Sequence, residues 1–163
     1  MVSYQTERKI HLFVSIIATL CIATFFTSTL LVELFGSPEQ IATVKSLIVI
    51  PGLFILVPAI ATTGGTGFAL SKHKKGSLVD SKKKRMPIIG ANGLLILLPA
   101  AILLDQWASA GSFDTKFYVV QAFELVAGAV NLTLMSMNIR AGFVMSGKLS
   151  QVREEQKPFS PSK

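Results

Sequence analysis

A chain of 163 residues, half of them apolar and with mean hydropathy +0.55, is too oily for an ordinary soluble domain and falls among polytopic membrane proteins. Its formal net charge of +7 is spread unevenly, and no aromatic residues interleave the main basic cluster, which argues against nucleic acid as a partner. The single cysteine, Cys21, excludes an intrachain disulfide and any CxxC redox pair.

The first apolar run, residues 10–33, carries no charge before Glu33. Arg8 and Lys9 precede it like the basic start of a signal peptide, but the run is about twice the usual apolar core of 7–15 residues and no small-x-small cleavage site follows, so a retained helix is expected. A short loop with Gly36 and Pro38 leads to the second span, residues 46–70. That span places Pro51, Pro58 and Gly65 seven apart on one face, where prolines either bend the helix or free backbone oxygens for a ligand. Its Thr62-Thr63-Gly64-Gly65-Thr66-Gly67 run lacks a complete phosphate-loop pattern and reads as close helix packing or a helix end.

Residues 72–85 form a basic connection, with Lys72, Lys74, Lys75, Lys82, Lys83, Lys84 and Arg85 expected to lie against anionic lipid headgroups. The third span, residues 86–105, holds Asn92, Pro99 and, just beyond, Gln106 in the same seven-residue rhythm. A second short loop leads to the fourth span, residues 117–140, and from about 150 to 163 a polar, Pro-containing tail is expected to be flexible and cytoplasmic. Each run is long enough to cross a hydrocarbon core of about 30 Å. Every Lys and Arg except Lys45 and Lys116 falls on one side of these spans, so the positive-inside rule puts both termini and the 72–85 connection in the cytoplasm. The expected fold is therefore all-α: one domain over residues 1–149, four transmembrane helices in an up-down-up-down bundle, in a cell inner membrane.

The fourth span is the chemically unusual one. Gln121, Glu124, Gly128, Asn131, Met135, Asn138 and Gly142 share one helical face, a polar seam that should avoid lipid. An acid inside a membrane span is costly and by default marks a functional site. Counting at 1.5 Å per residue from Arg140 puts Glu124 roughly 24 Å from the inner face, level with Thr24, Thr27, Ser28, Pro51 and Gly52, with no cation at that depth. The same count brings Asn131 level with Asn92, the expected interhelical amide pair. Glu124, Gln121, Asn131, Asn92 and Asn138 are thus the candidate ligand- or ion-binding residues.

No cofactor, metal or catalytic set is expected. His73 lies in the basic connection and His11 at the inner edge of the first span, so they do not form a haem pair, and no HExxH or Ser/His/Asp arrangement is present. The stretch from MPIIGANGLLILLPAAILLD to FDTKFYVVQAFELVAGAVNLTLMSMNIRAG resembles small uncharacterised four-helix bacterial inner-membrane proteins, a likeness that covers residues 85–142 and implies no activity. The first expectation is an accessory or assembly subunit, or a homo-oligomer, packing through the polar face of the fourth helix against other subunits or itself. The alternatives are a proton- or cation-coupled transporter or channel using Glu124, and a quinone- or lipid-binding redox component.

Overall fold

A computed structural model describes residues 4–72 and 76–155 of the chain. Among these residues there are four helices long and apolar enough to cross a membrane: α1 (Tyr4–Phe35), α2 (Pro38–Ser71), α3 (Ser77–Ser109) and α4 (Thr115–Glu155), the last apolar as far as Met145. Each is longer than the apolar run that announced it. Residues 156–163 of the expected flexible tail, and His73, Lys74 and Lys75 of the basic connection, lie outside the described residues.

The start of α2 has a local cause. Ser37 accepts from the Gln40 backbone N–H while its own N–H donates to the Gln40 side chain, a reciprocal cap, and Pro38 occupies the first helical position, where its missing donor costs nothing. The helix therefore begins eight residues before the expected span. From there Ile41, Lys45, Ile48, Gly52, Leu56 and Ala59 follow one another at three- and four-residue steps, all buried.

Two helices are interrupted at mid-length. In α2 the stretch Ile48–Leu53 is π-helical with Ile50 in an extended conformation (φ −132°, ψ 114°), and a cis peptide joins Ile50 to Pro51. In α3 the stretch Gly93–Leu97 is π-helical, and the Leu98 N–H reaches back five residues to the Gly93 carbonyl. Pro99 has no N–H to give the carbonyl four residues before it, so the preceding turn widens. The proline faces do not frame a pocket: Pro51, Pro58, Gly65, Pro99 and Gln106 are all exposed on the outside of the bundle.

Two apolar clusters hold the helices together. Ala18 and Ile22 of α1 meet Leu56 and Ala59 of α2, with Leu132 and Met135 of α4 against them, the alanines allowing the backbones to approach. Near the 36–37 and 110–114 connections, Ile41, Leu104, Ala108 and Phe117 close the end of the bundle. The outside is as apolar as the inside: Phe13, Phe54, Leu95, Phe123 and Phe143 are among many large side chains left exposed. A continuous surface of this kind is stable in lipid and not in water.

Candidate functional site

The seam of α4 turns inward, and the chain's own helices cover it. Asn131 has no exposed surface, Gln121 is 3% exposed, and Gly128 is buried, where an added Cβ would come within 3.2 Å of the Phe26 ring of α1. From Gln121 to Asn131 the face expected to meet partner subunits is thus occupied from within, because α1, α2 and α3 supply the groups that satisfy it, while Met135, Asn138 and Gly142 stay half-buried.

The principal partner is Lys45. Its Nζ donates to Glu124 Oε2 at 2.6 Å, with the lysine wholly buried and the glutamate side chain 12% exposed. This corrects the expectation that Glu124 has no cation at its depth and that Thr24, Thr27, Ser28, Pro51 or Gly52 would meet it. Lys45 is not a loop residue at the membrane edge: the cap at Ser37 starts α2 early and carries Lys45 two turns into the bundle. Its signal in the sequence is that it interrupts the apolar stripe of Ile41, Ile48 and Gly52. Gln121 adds a second donor to the same carboxylate oxygen, Nε2 to Oε2 at 3.2 Å. Glu33 of α1 feels the charges of both Lys45 and Glu124, and its Oε1, like the Gln121 carbonyl oxygen, is buried with no described hydrogen-bond partner.

Two turns further along α4, Asn92 donates from Nδ2 to Asn131 Oδ1 and to the Ala127 carbonyl, each at 2.9 Å, and Asn131 returns a long 3.5 Å bond to the Ile89 carbonyl. The expected amide pair is present. Asn138 stands apart from this group, half-buried with Oδ1 unmet among the described residues. The basic residues are spread along the opposite end: Lys72 lies 5.1 Å above the Phe68 ring, Lys83 and Lys84 are exposed, and Lys82 and Arg85 are half-buried on the first turns of α3. There His11 Nδ1 is 3.0 Å from Thr66 Oγ1, and Gly67 presses against His11 and Met86.

Between the ion pair and the amide pair, all four helices surround a cavity of about 420 Å³. Phe25, Phe26, Leu53, Leu56 and Leu97 give it an apolar wall, and its polar groups are Thr29, Glu124 and Asn131. Its rim includes Val57 and Gly64 of α2 and Leu94 of α3, all exposed, and Gly90, next to which a side chain would meet nothing within 4 Å. Helices α2 and α3 touch above and below this rim, through Ser46 and Asp105 (2.6 Å) at one end and Gly67 and Met86 at the other. The cavity therefore opens sideways, through a window at mid-helix. Its volume lies within the range of about 300–1,000 Å³ usual for small-molecule sites.

Among the described residues these features define an all-helical protein with four helices apt for a membrane, enclosing a laterally open apolar chamber with an ion-paired acid in its wall. Comparison with protein families, with curated proteins and with solved structures finds no match to this chain.

Proposed function

We propose that this chain is a multi-pass inner-membrane protein that takes an apolar or amphipathic small molecule from the bilayer through the window between α2 and α3 and holds it, without chemical change, against Glu124 and Asn131. The carrying observation is the position of the opening. A chamber closed toward both helix ends and open at its side receives what dissolves in lipid, and its wall is apolar to match. In this reading the bundle runs up-down-up-down with both termini cytoplasmic, and Lys72, Lys82, Lys83, Lys84 and Arg85 rest on anionic headgroups. The charge distribution supports that orientation.

Two other readings have less support. An ion- or proton-coupled transporter using Glu124 would want its carboxylate open to water, whereas Lys45 already neutralises it in a buried pair. An assembly subunit joined through the α4 seam would want that seam free, whereas Gln121, Gly128 and Asn131 are covered from within and only Met135, Asn138 and Gly142 at its far end are half-exposed.

The test is to fill the window. Nothing lies within 4 Å of a Cβ added at Gly64, so Gly64→Leu should fold, and its longer side chain should block entry. Purified in mild detergent, the wild-type chain is expected to retain an apolar small molecule, seen by mass spectrometry of the extracted lipids, and Gly64→Leu to lose it. Equal retention by both would end the proposal.

A further inference from the structure

The hydrogen-bonding capacity left open in the chamber selects the head of its ligand, and this inference rests on the lipid-binding reading above. Thr29 of α1 is 3% exposed and lines the cavity, yet its hydroxyl hydrogen-bonds to no described residue. Its oxygen is not one of the fully buried unmet atoms of the described residues, so it keeps some open surface on the chamber, where a bound group can meet it. Glu124 also lines the cavity. Its Oε2 accepts from Lys45 and Gln121, while its Oε1 accepts from no described residue. Asn131, the third polar group in the wall, is engaged by Asn92 and the Ile89 carbonyl. What remains on offer is one carboxylate oxygen that only accepts and one hydroxyl that does either.

We infer that the chamber takes a neutral amphiphile whose head carries a hydroxyl group, such as a long-chain alcohol, its hydroxyl donating to Glu124 Oε1 and accepting from Thr29. Charge narrows the class from both directions. A carboxylate or phosphate head would have to shed its water at the apolar rim, and Glu124 Oε1, which only accepts, offers it no donor. An ammonium head would have to shed its water to pass a rim formed by Val57, Gly64 and Leu94, and would arrive at an acid already paired with Lys45. A ketone or ether head has acceptors only, and cannot satisfy Glu124. A neutral hydroxyl crosses the rim at low cost and matches both open groups.

The experiment uses the full chain in nanodiscs of neutral phosphatidylcholine, with radiolabelled dodecanol as the probe and dodecyl methyl ether, laurate and dodecylamine as competitors. Dodecanol is expected to bind saturably and to be displaced poorly by the other three. Thr29→Val keeps the shape and removes the hydroxyl, so dodecanol affinity should fall about fivefold, as one net hydrogen bond implies. The thermal unfolding midpoint of the same variant in mild detergent should match wild type, which reports that the variant is folded. If the ether or the amine binds the wild type as tightly as the alcohol, or Thr29→Val leaves alcohol affinity untouched, the head-group assignment is wrong while the chamber stands. If none of the four binds saturably, and Gly64→Leu behaves as wild type, the lipid-binding reading itself fails.

Discussion

Lys45 and Glu124 hold each other inside the bundle, with Gln121 donating to the same carboxylate oxygen and Glu33 close enough to feel both charges. A buried ion pair contributes little net stability over an apolar pair of the same volume, yet removing one partner leaves a charge with no counterion and is strongly destabilising. Lys45→Met should therefore cost about 3–5 kcal/mol, while the double variant Lys45→Met with Glu124→Leu should regain most of that loss. Thermal unfolding in mild detergent reads both, and a single variant as stable as wild type would mean the pair is not formed. The acid was legible in the sequence as the one charge in an otherwise uncharged span. Its partner was not, because the bounds of an apolar run do not show where its helix begins. Ser37, Pro38 and Gln40 are the residues that set the true start, and they act through backbone capping and not through hydropathy. Thr29 was hidden for a different reason: nothing local distinguishes it from Thr24 or Thr27, and only the arrangement of four helices turns it toward the chamber.

At the level of the helices, two kinds of contact fix α3 against α4 and α2 against α1. Asn92 and Asn131 form the first, and depth counting found them because both lie within uninterrupted spans whose ends are marked by charge. Asn131→Leu should lower stability by about 1–2 kcal/mol, and the coupling between Asn92→Leu and Asn131→Leu in a double-mutant cycle should be about 0.6 kcal/mol and no more than about 1.7 kcal/mol, the average and the maximum for interhelical hydrogen bonds in membranes. Additive effects of the two substitutions would show that the amides act separately. Gly67 is the second kind. A side chain there would drive into Met86 and His11, so Gly67→Leu should loosen the end of the bundle where α1, α2 and α3 converge, whereas Gly65→Leu, with open space before it, should not. The difference between two glycines in one Thr-Gly run is invisible to spacing alone, since it depends on which face α2 presents after its break at Ile50. The breaks themselves were foreshadowed by Pro51 and Pro99. Their role was not: the prolines face outward, and the chamber lies behind them.

For the molecule as a whole, the ion pair changes the charge distribution that sets orientation. Counted along the sequence, the short-loop side carries Lys45 and Lys116. Counted in space it carries Lys116 alone at its surface, because Lys45 is enclosed and neutralised, while Glu39, Asp105 and Asp114 remain beside the 36–37 and 110–114 connections. Positive charge near the ends of spans is what is retained in the cytoplasm, so enclosing Lys45 sharpens the asymmetry and strengthens the expectation that these connections face out. A cysteine-free background, made by Cys21→Ala, allows a direct check with single cysteines at Ser112 and Ser77, both exposed. A membrane-impermeant maleimide applied to intact cells should label Ser112→Cys, and should reach Ser77→Cys only after the membrane is opened. The reverse pattern would invert the bundle, moving the basic start of α3 away from the anionic cytoplasmic leaflet. The window between α2 and α3 would survive that inversion unchanged, since an opening at mid-helix meets the hydrocarbon core whichever end faces the cytoplasm.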